Sequence, residues 1–93
     1  MNKKNSKYSF IRGVNAIKKA SKEFPSGSGI YQFLDEDNKI LYVGKAKNLK
    51  KRITSYLNTK YQTNRIKLLI SLAIDIKFIK TLTEIDSFIL ENN

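Results

Sequence analysis

Three short segments hold the residues whose types and spacing could do chemistry. They are Gly29-Ile30-Tyr31, Tyr42-Val43-Gly44-Lys45, and the run Lys45-Ala46-Lys47-Asn48-Leu49-Lys50-Lys51-Arg52-Ile53-Thr54-Ser55-Tyr56. An arginine suits bidentate contact with a phosphate, and a lysine supplies a point charge. The chain has neither histidine nor cysteine, so its own residues can build neither a thiolate zinc site nor a Ser-His-Asp triad. Acid–base work would fall to Tyr, Lys, Asp, Glu or a metal-bound water. Carboxylates are scarce, with 8 Asp and Glu against 18 Lys and Arg, and each is informative. Asp35, Glu36 and Asp37 fall in a turn and read as solvated. Glu84, Asp86 and Glu91 near the end could be simple charge balance, or could hold a divalent ion. Glu91 lies beside the apolar face Ile85, Phe88 and Ile89, and a lone carboxylate completed by waters and phosphates is an ordinary magnesium site.

The elements that must position these groups follow from periodicity. Ile11, Val14 and Ile17, with Ala16 and Ala20, recur at helical spacing and predict a helix near 8–22, which Gly13 weakens. Pro25-Ser26-Gly27-Ser28-Gly29 reads as a loop. Ile30–Leu34 and Lys39–Val43 read as strands joined by the polar turn 35–38, an antiparallel hairpin. Gly44 ends the second strand and a helix is expected over Lys45–Leu57. A polar loop at 58–63 follows, then a helix over Arg65–Ala73 with Ile66, Leu69, Ile70 and Ala73 inward. A third strand is expected around Ile74–Ile79 with Lys77 and Lys80 outward. Thr83 can cap a last helix from Glu84. The result is a small α+β domain with an antiparallel sheet covered by helices.

Within the expected helix, Lys45, Arg52 and Tyr56 stand at i, i+7 and i+11, which places them within roughly 40° of one another. Ala46, Leu49, Ile53 and Leu57 form the adjacent apolar face. The three would line the rim of a groove, and early helix N–H groups following Gly44 could face an anion. Lys47, Lys50 and Lys51 either solubilise the outer face or attract DNA loosely. For Tyr31 and Tyr42 the ordinary account is packing with the hydroxyl at the sheet edge; adjacent strands could also bring both hydroxyls near Lys45.

Bulk properties bound the partner. The 93 residues suffice for one small domain. The net charge of +10 suggests a polyanion, a balance shared by nucleic-acid-binding and membrane-surface proteins. There is no apolar run of the ~18–20 residues a membrane span needs, and Met1-Asn2-Lys3-Lys4 is followed by no secretory core. The chain is expected to be cytoplasmic.

The motifs Gly29-Ile30-Tyr31, Tyr42-Val43-Gly44-Lys45-Ala46-Lys47-Asn48-Leu49, Arg52, Ser55-Tyr56 and Phe88-Ile89-Leu90-Glu91-Asn92-Asn93 resemble the GIY-YIG endonuclease superfamily. Within it they resemble the N-terminal nuclease domains of the UvrC excinuclease family. The resemblance runs from about Pro25 to the last residue. It implies a three-stranded antiparallel sheet flanked by helices, and a divalent-metal-dependent endodeoxyribonuclease using Mg²⁺ or Mn²⁺. It implies that Tyr31 acts with the attacking water, that Tyr42 orders the site, and that Gly44, like Gly29, is a packed motif glycine. It further implies that Lys45 hydrogen-bonds there and tunes Tyr31, that Arg52 holds the scissile phosphate, that Tyr56 is a further active-site tyrosine, and that Glu91 binds the metal. Lys47, Asn48, Lys50 and Lys51 are the expected DNA contacts. The implied activity is the incision 3′ to a lesion in nucleotide excision repair, on damaged double-stranded DNA. The implied partner is the helicase-like component of the excinuclease, met through regions absent from this chain.

Two departures qualify the resemblance. The family pattern continues past the glutamate through a basic, proline-containing stretch to an asparagine, so residues 25–93 are expected to be a nuclease domain cut at its C-terminal end. Residues 1–24 lie outside the likeness and are expected to be a basic, helical extension touching the DNA backbone. Another GIY-YIG nuclease, of stand-alone repair or homing type, and a non-catalytic basic nucleic-acid-binding module are the competing readings.

Overall fold

A computed structural model describes residues 7–58 and 63–81. The element order is α1 (Phe10–Glu23), β1 (Gly29–Leu34), β2 (Ile40–Ala46), α2 (Leu49–Ser55), α3 (Asn64–Leu72) and β3 (Asp75–Lys80). The expected last helix with its Thr83 cap, and Glu91 with it, lies outside the described residues.

Each helix starts where a short polar side chain replaces a missing backbone partner. The side chains of Ser9, Asn48 and Thr63 accept from the amides of Arg12, Lys51 and Ile66, the ordinary N-cap arrangement. The hairpin turn is closed the same way. Asp35 Oδ1 accepts from the amides of Asp37 and Lys39, both at 2.9 Å, and Asn38 takes the left-handed conformation at φ 63°, which Asn tolerates well. The turn acids are thus structural at Asp35 and exposed at Glu36 and Asp37.

The strand order is β2-β1-β3, antiparallel throughout. Side chains alternate across a strand, so Tyr31 and Phe33 share one face with Ala46, Gly44 and Tyr42 of β2 and with Ile76 and Phe78 of β3. The core lies on that face, where Tyr31, Phe33, Ala46 and Ile76 meet Ile17, Ala20 and Phe24 from α1 and its end, Leu49 and Ile53 from α2, and Ile70 and Ala73 at α3. Full burial of each large aliphatic side chain contributes about 1.5–3 kcal/mol. The fold class is the expected one: an α+β domain with a three-stranded antiparallel sheet flanked by helices.

α1 belongs to this core, with Ile17, Ala20 and Phe24 buried in it. Gly13, which weakens a helix in sequence terms, is where α1 and α3 touch: a Cβ there would stand 1.8 Å from the Ile70 carbonyl oxygen. The same seam is laced by the Ser9 amide and the Arg12 guanidinium, both donating to the Ser71 carbonyl at 2.8 and 3.2 Å.

One boundary differs from expectation, with chemical consequences. β2 does not end at Gly44 but continues through Lys45 and Ala46, pairing Lys45 with Ile30 and Ala46 with Gly29. The helix expected over Lys45–Leu57 covers only Leu49–Ser55. Lys, Ala and Lys are good helix formers, but ladder pairing with β1 and burial of Ala46 outweigh that preference.

Candidate active site

The site is built on the core face of β1 and β2, at the edge nearest α2. Tyr31 is 2% exposed. Its hydroxyl lies 2.8 Å from that of Tyr56, which caps the C-terminus of α2. Directly across the ladder is Gly44, and a Cβ there would fall 2.4 Å from both the Tyr31 Cζ and its hydroxyl oxygen. Gly44 is therefore required by the ring that fills its place. Tyr42 lies on the same face, its ring centroid 6.1 Å from that of Tyr31, and is 43% exposed. Phe33 completes the cluster, edge-on to Tyr56 at 5.1 Å and to Tyr42 at 6.3 Å. Phe33 carries no polar group and did not stand out in the sequence, although its i+2 spacing from Tyr31 puts it on the same strand face.

Electrostatics divide the two bonded hydroxyls. Burial pushes the Tyr31 phenol far above its ordinary value, and the Tyr56 bond and the neighbouring phenols raise it further, while the Arg52 guanidinium pulls the other way. Burial also raises Tyr56, but its bond to Tyr31 and the charge of Arg52 both lower it. Tyr31 is thus the better-held proton of the pair. Arg52 is exposed on α2 and supplies the positive charge felt by both.

The structure brings together Tyr31, Tyr42, Gly44, Arg52 and Tyr56, and it moves Lys45 from the expected helix to β2. Lys45 does not share a helix face with Arg52 and Tyr56. It lies in β2 opposite Ile30, which by alternation turns it to the other face of the sheet. Gly29 is packed as a motif glycine would be, with no room for a Cβ between the Ile79 carbonyl and Leu49.

The anion site expected at the start of the helix is overturned. The amides of Leu49 and Lys50 donate to the carbonyls of Gly27 and Pro25, at 2.9 and 3.0 Å. Those of Lys51 and Arg52 donate to the Asn48 side chain and carbonyl, at 2.9 and 3.0 Å. Of the N–H groups that a helix start leaves open, those of Leu49, Lys50 and Lys51 are spent in this way, and the Arg52 bond is the first regular turn of the helix. Asn48, an expected DNA contact, is thus the α2 cap. Lys50 donates through Nζ to the Ser21 carbonyl at 2.5 Å, bracing α2 against the end of α1. Lys47 and Lys51 are exposed. Among the described residues there is no group of three or more His, Cys, Asp or Glu able to hold a metal ion, and no helix long and apolar enough to cross a membrane.

Residues 27–93 match the family model of the UvrC-like GIY-YIG domain. The chain belongs to that family. This GIY-YIG domain is 46% identical over 78 residues to the UvrABC system protein C of Christiangramia forsetii, covering 84% of this chain and 13% of the relative. It is 56% identical over 69 residues to that of Methanospirillum hungatei, covering 74% and 13%. The chain thus spans about an eighth of the length of these relatives. Its fold superposes with a TM-score of 0.74 and 35% identity on the GIY-YIG N-terminal endonuclease domain of UvrC from Thermotoga maritima bound to magnesium, its catalytic divalent cation, covering 83% of each chain. A point mutant of the same Thermotoga domain, also bound to the catalytic cation, superposes equally well at 0.74.

Proposed function

We propose that this nuclease domain hydrolyses a phosphodiester of damaged double-stranded DNA, on the 3′ side of the lesion, within a longer excision-repair protein. The observation that carries the reading is the hydroxyl pair Tyr31–Tyr56, packed onto Gly44 beside Arg52, in a chain of the UvrC-like GIY-YIG family.

Hydrolysis needs a positioned water, an acceptor for its proton and positive charge for the developing phosphorane. Arg52 supplies that charge and can grip a non-bridging oxygen bidentately. The resemblance gave the water to Tyr31, and burial argues for a different division of labour. Tyr31 is enclosed and strongly holds its proton, so it orients the site as a neutral phenol bonded to Tyr56. Tyr42, on the same face and open to solvent, is the hydroxyl that a water at the phosphate can reach.

The described residues offer hydroxyls and a guanidinium at the site but no carboxylate, which fits a divalent ion completed largely by water and phosphate oxygens. Glu91 is the residue that would hold Mg²⁺ or Mn²⁺, and the bound ion supplies Lewis-acid charge to the phosphate and leaving oxygen. The partner reading, a helicase-like component of the excinuclease reached through other parts of the longer protein, and the cytoplasmic location rest on the family alone.

The test is nicking of a lesion-bearing duplex by the full-length protein with its helicase-like partner, paired with Mn²⁺ titration of the 93-residue chain. Loss of 3′ nicking in Arg52→Ala and Tyr42→Phe, and of saturable Mn²⁺ binding in Glu91→Ala, is the expected result. Undiminished nicking in Arg52→Ala would overturn the assignment, and equal Mn²⁺ binding with and without Glu91 would remove the metal from that residue.

A further inference from the structure

We propose that the C-terminal half of α1 is a second DNA-backbone contact, continuing the phosphate track from Arg52 across α2 to Lys18 and Lys22. The inference rests on the nucleic-acid reading above, but not on the hydrolytic chemistry.

α1 and α2 are joined at their facing ends. The Pro25 and Gly27 carbonyls accept from the first two amides of α2, and Lys50 Nζ crosses to the Ser21 carbonyl near the end of α1. Two bonds thus fix the start of α2 to the loop that follows α1, and a third reaches α1 itself. Lys18, Ser21 and Lys22 stand at i, i+3 and i+4 and share a helix face. The Ser21 hydroxyl bonds back to the Lys18 carbonyl on that face. Both lysines are exposed, as are Lys50, Lys51 and Arg52. At about 100° per residue, Arg52 lies on the tyrosine side of α2, Lys51 on its outer side, and Lys50 on the side that reaches α1. Cations therefore follow one another from the tyrosine cluster over α2 onto α1.

The charge pattern on α1 separates a solvated face from a binding face. Lys19 has Glu23 four residues on, an opposite-charge pair of the kind that settles an exposed helix face. Lys18 has Lys22 at the same spacing, a like-charge pair that works against the isolated helix. The remaining acids among the described residues are elsewhere: Asp35, Glu36 and Asp37 in the hairpin turn, and Asp75 opposite Leu34. That is the far end of β1 from Gly29, where α2 begins. Lys18 and Lys22 are about 6 Å apart along the helix axis, and flexible lysine stems on that spacing can reach neighbouring phosphates of one strand. A polyanionic backbone is the partner that turns this repulsion into affinity through release of its counterions.

The experiment is titration of a 30-base-pair duplex with the 93-residue chain between about 50 and 200 mM salt, comparing the native chain with K18Q/K22Q, K19Q and K18R/K22R. Each lysine–phosphate contact adds about 0.9 to the slope of log affinity against log salt, so K18Q/K22Q is expected to flatten it by about 1.8. K19Q should leave the slope unchanged, and K18R/K22R should restore it. Circular dichroism shows whether the helices persist. A K18Q/K22Q slope equal to that of K19Q overturns the proposal, as does a native chain that binds no duplex. Binding with the predicted slopes but no nicking by the full-length protein would sink the hydrolytic reading and leave the α1 contact standing.

Discussion

Two regions meet at Arg52 and obey different physics. On one side is the packed tyrosine face, where Tyr31, Gly44, Phe33 and Tyr56 fit against one another. On the other is the outer surface of α2 and α1, where Lys18, Lys22, Lys51 and Arg52 stand in solvent. In the packed region, position is set by contact and a single carbon changes it, as close-packed interiors require. On the surface, interaction is long-ranged, screened by salt and nearly additive, as exposed charges are. A nuclease needs both, because a tight site without the band meets few phosphates and a band without the site holds DNA uncut.

The largest effect is expected at the residue the two regions share. Arg52→Ala should lower the nicking rate of the full-length protein by about 10²–10³-fold, the usual loss when one preorganised charge donor is removed. It should leave thermal unfolding within about 0.5 kcal/mol, as exposed substitutions usually do. A drop in stability as large as the drop in rate would mean that Arg52 belongs to the packing.

Gly44→Ala should act the opposite way. The added carbon meets the Tyr31 ring and hydroxyl at 2.4 Å, so a destabilisation of about 1–3 kcal/mol is expected. The near-ultraviolet dichroism of the tyrosines should change with it. Native stability and an unchanged spectrum would show that the tyrosine face yields more readily than its geometry suggests.

A smaller effect is expected of Tyr31→Phe, which removes one hydroxyl and its bond to Tyr56, at about 1 kcal/mol near neutral pH. Its pH dependence is more telling. In the native chain Tyr31 is raised above its ordinary value of 10.0, so above about pH 10 the unfolded chain loses that proton while the folded chain keeps it. Stability therefore falls as pH rises from about 10, and Tyr31→Phe should flatten that fall. An alkaline limb equally steep in the variant would place the titrating group elsewhere.

The smallest effect belongs to the surface. Lys51→Gln should reduce the salt slope of duplex binding by about 0.9 with no measurable change in unfolding. A change in melting without a change in slope would move Lys51 to the structural side.

Much of the architecture could be read in the sequence, because it depends on local signals. The hairpin was visible in two apolar runs flanking Asp35-Glu36-Asp37-Asn38, and the inward positions Ile17, Ile53, Ile70 and Ala73 followed from periodicity. The misreading of Lys45 has a definite cause: Lys45-Ala46-Lys47 carries helix-forming residues, and only pairing with Gly29 and Ile30 across the ladder keeps the first two extended. The capping role of Asn48 was not legible because nothing local in the sequence shows that α2 begins at Leu49 and that the Asn48 Oδ1 accepts from the Lys51 amide. Gly13 looked like a weakness because the Ile70 carbonyl that requires it is 57 residues away in the chain.

The sequence by itself determined the chemistry available. With no histidine or cysteine and a charge of +10, it confined the site to tyrosine, arginine, lysine and carboxylate and pointed it at a polyanion, because side-chain type and net charge are properties of composition. Only the tertiary structure decided which of those groups act together. It paired Tyr31 with Tyr56 across 25 residues, placed Lys45 on a strand and not a helix, left Tyr42 open, and tied Lys50 of α2 to the Ser21 carbonyl of α1. Such proximities arise from strand register and helix packing, which bring together residues that no local spacing relates.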